Sequence, residues 1–191
     1  QLSGLDIDGS VVDLNDIGDA DTVGVSGAMT VDGTTRIDFN GTTYKTNQAT
    51  YTAPGGQNLV MAAGGLTTFT TSDDQLQFQT ATVLLNNGSN LAGTTSGGAI
   101  IVQAGIRGTS DETVDLNASG GTTNTIDVGA IGNADEILSV QLNGPGGVTS
   151  RGDIVTSSTA VGNQVVVTGA LTYTSNREDN TTAEDNNIAI V

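Results

Sequence analysis

The sequence of 191 residues contains no cysteine, no histidine and no tryptophan. Without cysteine the chain can form neither disulfides nor thiolate metal sites. Without histidine it lacks the commonest general base, and with it the Ser-His-Asp and Cys-His nucleophile systems and histidine-bound zinc. These absences exclude most classes of enzyme, and we expect a protein that is not an enzyme.

Basic residues are also scarce. The chain has 5 lysines and arginines against 21 aspartates and glutamates, which gives a net charge of -16. Binding to phosphate groups requires clustered lysine and arginine, so we expect no nucleic acid and no anionic membrane surface as a partner.

Long apolar runs are missing as well. The longest, Leu59-Val60-Met61-Ala62-Ala63, is far shorter than the ~20 residues of a membrane helix, so we expect no membrane insertion. The chain begins with Gln1 and has no basic segment followed by an apolar one. This favours a secreted or cell-surface protein whose signal peptide has been removed or lies outside this sequence.

Aromatic residues make up only 3% of the chain, so we expect a core of Val, Ile, Leu and Ala without large rings. No apolar pattern follows the 3.6-residue period of a helix, and the abundant Gly, Thr, Val and Asn are weak helix formers. The chain is therefore expected to be all-β.

One pattern recurs along the chain: apolar, any, apolar, any, small, any, apolar. It occupies residues 23–29, 100–106 and 165–171. The alternation places every second side chain on one face of a strand, and the small residue marks a bend. From Ala104 onward, weaker copies place the small residue at Ala118, Ala130 and Gly144, so two units span 26 residues. This is the size of one coil in a repeat protein.

We therefore predict a parallel β-helix, or β-solenoid. An antiparallel β-sandwich is the alternative, because strands separated by frequent turn signals fit both folds. Residues 32–56 fit the repeat worst and are typical of a hairpin pair with a tight turn at Asn40-Gly41. We expect residues 1–56 to form an N-terminal cap or small β module and residues 57–191 the solenoid repeat region; one continuous domain over 1–191 is the alternative.

The repeated phrase and several glycine-rich units carry a resemblance to a known family. The chain is similar to the β-strand-repeat regions of large bacterial surface and secreted proteins, the filamentous-haemagglutinin-like adhesins, over roughly residues 57–175. The resemblance implies a right-handed parallel β-helix with a surface, adhesive or fibre-forming role and no catalytic residue. The segments that carry it are Gly97-Gly98-Ala99-Ile100, Gly146-Gly147-Val148, residues 84–89 and residues 112–118.

The densest acidic group lies near the start of the chain, at Asp13, Asp16, Asp19 and Asp21. Carboxylates spaced along a turn can supply the oxygen ligands that Ca²⁺ prefers. Neither an EF-hand loop nor the nonapeptide repeat of calcium-binding β-rolls is present. These four aspartates are candidate calcium ligands, and a solvated acidic loop is the alternative.

Together these features predict an extracellular structural protein that forms or belongs to a surface fibre, adhesin or sheath and assembles through β-strand stacking. Self-association into a fibre or polymer is expected, and a polysaccharide or other cell-surface ligand is a further candidate partner. Two alternatives stay open. One is a carbohydrate-binding or carbohydrate-cleaving β-helix protein, since glycoside hydrolysis needs only two suitably spaced carboxylates. The other is a calcium-stabilised adhesin module.

Overall fold

The computed structural model describes residues 1–108, 112–132, 137–156, 164–173 and 188–190. These residues form sixteen β-strands joined by turns. The strands are β1 (Leu5–Leu14), β2 (Val25–Phe39), β3 (Thr43–Thr52), β4 (Asn58–Met61), β5 (Gly65–Thr71), β6 (Leu76–Gln79), β7 (Thr82–Leu85), β8 (Ser89–Thr95), β9 (Ile100–Arg107), β10 (Thr113–Asn117), β11 (Thr125–Ile131), β12 (Ser139–Asn143), β13 (Gly147–Ser150), β14 (Gln164–Thr168), β15 (Leu171–Tyr173) and β16 (Ile188–Ile190).

All pairings between these strands are parallel. The strands follow one another in a single wound sheet, with order β15-β13-β11-β9-β7-β4-β2-β3-β5-β8-β10-β12-β14-β16; β1 lies beside β2, and β6 lies between β3 and β9. This confirms the predicted parallel β-helix. The antiparallel sandwich is wrong for the described residues, because its hairpins would give antiparallel pairs.

One column of stacked residues shows the repeat directly. Its spacing varies from 20 residues between Met29 and Ala49 to 27 residues between Ala49 and Leu76. This range brackets the 26-residue coil predicted from the repeated phrase. The column consists of Leu5, Met29, Ala49, Leu76, Ile100, Ile126, Val148 and Leu171.

Each complete coil has three sides, because its longer strands bend. Strand β2 pairs with β3 around Met29, on the first side, and then with β4 around Ile37, on the second side. Strand β3 begins on the third side, where Tyr44 pairs with Phe69 of β5, and returns to the first side to pair with β6. The three sides enclose one continuous apolar core.

The core departs from the aliphatic interior that the composition predicts. Five of the six aromatic residues of the chain lie in it, fully buried, with ring centroids 4.7 to 6.5 Å apart. The expectation of a core without large rings was wrong, because the coil brings rings that are distant in sequence into one interior. These residues are Phe39, Tyr44, Tyr51, Phe69 and Phe78.

The hairpin predicted at Asn40-Gly41 is also wrong. The strands on either side of this turn, β2 and β3, run parallel, so residues 40–42 form a corner of the coil. The backbone N–H groups of Asn40 and Gly41 donate to the carbonyl oxygen of Leu14 in the preceding coil, at 2.8 and 3.3 Å. A neighbouring coil thus supplies the hydrogen-bond acceptors that a hairpin partner would have supplied.

Strand pairing continues across residue 56. Strand β2 pairs with β4, and β3 pairs with β5 and β6. Hydrogen bonding between strands does not show whether two segments fold as separate units, so the division into residues 1–56 and 57–191 stays a prediction.

Candidate functional site

The four aspartates predicted to bind calcium are all exposed. Asp13 lies in β1, and the other three lie in the segment between β1 and β2. The side chain of Asp13 accepts a hydrogen bond from Asn40 Nδ2 at 3.3 Å. Asp16 Oδ1 accepts hydrogen bonds from the backbone N–H groups of Thr42 and Thr43, at 2.6 and 2.9 Å, and so holds the corner of the next coil.

Asp19 is engaged with its own loop. Its Oδ1 accepts hydrogen bonds from the backbone N–H groups of Asp21 and Thr22, at 2.9 and 2.7 Å. These two bonds hold the pKa of the Asp19 carboxyl below its ordinary value. The amine of Lys45 closes the same loop by donating to the carbonyl oxygen of Ala20 at 2.8 Å.

Within the described part of the chain, these four aspartates do not form a group of three or more mutually close carboxylates. Calcium binding at Asp13, Asp16, Asp19 and Asp21 stays a prediction. A melting temperature that is unchanged by Ca²⁺ and by a chelator would remove it, because a ligand that binds only the native state raises stability.

A different acidic group does come together, at Asp6, Asp8 and Asp32. Asp6 and Asp8 lie on one face of β1, and Asp32 is the register partner of Asp8 in β2. Carboxylate oxygens of the three residues all lie within 4.8 Å of one another. Sequence reasoning did not assign this group, because Asp32 joins it only through the 24-residue step between β1 and β2.

Strand β1 is the first strand of the coil, and in the described residues it pairs only with β2. We call its other side, along Leu5–Leu14, the open edge. The core beneath this edge is incompletely covered. Leu5 and Ile7 are only partly buried, whereas their register partners Met29 and Val31 are 1% and 0% exposed.

The same contrast appears before β1. Leu2 is 53% exposed, whereas Val25, with which it forms a parallel bridge, is 1% exposed. The described residues that would lie above β1 in a longer solenoid are therefore absent along the first strand. Backbone N–H and carbonyl groups of an unpaired strand edge are a template for another strand.

The open edge is negatively charged. Asp6 and Asp8 lie on its outward face, and within the described residues no lysine or arginine forms an ion pair with them or with Asp32. Arginines pair with aspartates elsewhere in the coil: Arg36 with Asp38 at 2.8 Å, and Arg151 with Asp127. The site is thus an acidic strand edge over a partly exposed apolar core.

Comparisons of this chain with protein-family models, curated proteins and solved structures give no match. The described residues include no helix that is long and apolar enough to cross a membrane. The functional argument therefore rests on the solenoid and its open edge.

Proposed function

We propose that the chain is an extracellular structural protein, a β-solenoid segment that forms or belongs to a surface fibre, adhesin or sheath. It assembles through β-strand stacking at the open edge. The observation that supports this proposal is the incomplete burial of Leu5 and Ile7 in β1, directly above Met29 and Val31, which are fully buried.

A strand added along β1 would lie about 4.8 Å away and continue the parallel stack. It would cover Leu5 and Ile7 as β1 covers Met29 and Val31, and it would pair with the outer backbone groups of β1. Removal of apolar surface from water and the new backbone hydrogen bonds both favour this addition. Assembly of this kind lengthens the solenoid along its axis.

The opposite end of the first side suits end-to-end stacking. Leu171 ends the described column of core residues, and it is also only partly buried. A second copy placed end to end would continue this column from Leu171 to Leu5. Self-association into a fibre or polymer is therefore part of the proposal.

The proposed location is secreted or at the cell surface, and the proposed role is structural and not catalytic. The supporting features are the acidic composition, the lack of histidine and cysteine, and the repeat pattern, which is similar to that of adhesin repeat regions. A polysaccharide or other cell-surface ligand stays a candidate partner of the assembled fibre.

Electron microscopy of the purified chain tests this proposal. We expect rods or filaments that become longer with protein concentration and with salt, because salt screens the repulsion between acidic ends. Uniformly monomeric particles at every concentration would contradict it. Ile7→Lys places a charge on the inner face of β1 and should shorten the filaments, whereas Leu66→Lys adds the same charge at a side chain that is 55% exposed and away from β1.

A further inference from the structure

We propose that the open edge selects an extended strand in which apolar residues alternate with lysine or arginine. This inference rests on the proposed function, because it names the partner of the same edge. The edge offers two alternating features, an apolar inner row and an acidic outer row, and one strand can match both.

The inner row consists of Leu5 and Ile7. In a strand that continues the parallel stack, the residues opposite these two point into the coil, as Met29 and Val31 do one strand below. Apolar side chains at those two positions would close the core above Leu5 and Ile7. Polar side chains there would be buried without partners, which is unfavourable.

The outer row consists of Asp6 and Asp8, backed by Asp32 of the next coil. Three carboxylates within 4.8 Å of one another, with no basic partner among the described residues, repel one another. A strand that lies about 4.8 Å from β1 brings its own outward side chains beside Asp6 and Asp8. Lysine or arginine at those positions would relieve the repulsion and form cross-strand ion pairs.

The chain already uses this arrangement on the same side of the coil. Asp127 points outward from β11, and its carboxylate pairs with Arg151, which directly follows β13 in the neighbouring coil. A basic residue one coil away is therefore a partner that this geometry accommodates for an outward aspartate of the first side.

An identical copy does not offer such a partner. In an end-to-end stack that continues the column from Leu171 to Leu5, the residue opposite Asp6 is Thr172, which is uncharged. A copy of the chain can pair with the edge through its backbone, but it leaves the acidic row without counter-charge. The edge is thus better matched to a basic strand of a different chain.

Peptide binding to the full chain tests this inference. The probe is a fluorescently labelled peptide of ten residues in which valine alternates with lysine. One control alternates valine with threonine, and a second has the composition of the probe with its valines and lysines in separate blocks. We expect the probe to bind about tenfold more tightly than either control, which corresponds to two favourable charge pairs. Hydrogen exchange should slow along Leu5–Leu14.

A pair of double variants locates the charge effect. D6N/D8N should weaken probe binding to the level of the threonine control, whereas D73N/D115N removes the same number of charges from exposed sites away from β1 and should leave binding unchanged. Circular dichroism establishes that both variants are folded. A single exchange, D8N, gives a second measurement with a smaller disturbance and should show a partial loss.

Each result decides between the two proposals. Equal binding of the valine-lysine and valine-threonine peptides, with protection of β1, leaves the proposed assembly standing and overturns this inference. Equal binding of the block peptide, or equal losses in the two double variants, shows a general attraction to an acidic protein and also overturns it. Protection of β1 that grows with chain concentration and resists the probe identifies a second copy as occupant and overturns it. Failure of every peptide to protect β1 overturns the inference and counts against the open edge itself.

Discussion

The phenol oxygen of Tyr44 donates a hydrogen bond to the backbone carbonyl oxygen of Leu14, over 2.9 Å. The bond links a corner of one coil to the end of the strand in the coil before it. The same phenol oxygen accepts a hydrogen bond from the backbone N–H of Gly41, also at 2.9 Å. Tyr44 is 1% exposed, so this corner depends on one buried hydroxyl.

Tyr44→Phe should therefore lower the free energy of unfolding by about 1 to 2 kcal/mol, because it removes two buried hydrogen bonds. Tyr51→Phe is the matched control. Tyr51 is fully buried too, but its hydroxyl has no hydrogen-bond partner among the described residues, so its removal should leave stability unchanged or raise it. Urea unfolding of the two variants measures the difference. Equal losses would contradict this account of the corner.

Stability should also fall at alkaline pH. Burial raises the pKa of Tyr44 to about 12, and burial raises the pKa of Tyr51 well above its ordinary value. In the unfolded chain both phenols ionise near the usual value of about 10. Above that pH the unfolded state loses protons that the folded state keeps, so the free energy of unfolding decreases from about pH 10 upward.

The same pH series on the Tyr44→Phe/Tyr51→Phe double variant provides the control. Its unfolding free energy should change less between pH 10 and pH 12 than that of the original chain, since neither phenol remains to titrate. An identical decline in both proteins would show that other groups cause the alkaline loss.

Asp16→Ala should destabilise the corner at residues 40–42. The substitution removes the acceptor for the N–H groups of Thr42 and Thr43, and we expect a loss of about 1 to 3 kcal/mol. Asp16→Asn keeps a side-chain oxygen and should lose less. Asp21→Ala is an exposed control that removes a carboxylate from the adjacent loop, and thermal unfolding that ranks it with Asp16→Ala would argue against the corner contact.

Phe69→Ala should cost about 3 to 5 kcal/mol, the range for deletion of a buried ring. The ring of Phe69 lies at the centre of the aromatic cluster, with centroids of four other rings 4.7 to 5.6 Å away. Leu66→Ala, in the same strand, removes a side chain that is 55% exposed and should cost little. Chemical unfolding of both variants measures the contrast; a small loss for Phe69→Ala would mean that the cluster contributes little.

The sequence predicted the coil because its signal is periodic. The alternation of apolar residues and the recurring small residue mark each strand and the bend after it. Gly169 is such a residue: it adopts φ of +114°, and a Cβ there would lie 2.1 Å from the carbonyl oxygen of Gly144. In the middle copy the bend falls one residue beyond the predicted Ala104, at Gly105, with φ of +122°.

Contacts between coils were not predictable in the same way, because they depend on the step between coils. That step varies from 20 to 27 residues in the first side alone. Asp32 meets Asp8 only at the correct step, and Phe39 meets Phe69 only when two different sides of the coil are placed. The Asn40-Gly41 signal was local and true of a turn, but the preceding coil determined which strands the turn connects.

Hydrogen exchange along β1 is the most direct test of the central claim that strands add at the open edge. The exchange rates of Leu5–Leu14 would be compared between the dilute chain and the assembled fibre, with β4, which is paired on both sides, as the internal reference. We predict that β1 exchanges faster than β4 in the dilute chain and becomes as protected as β4 in the fibre. Fast exchange of β1 in both states, within fibres that have formed, would contradict the claim.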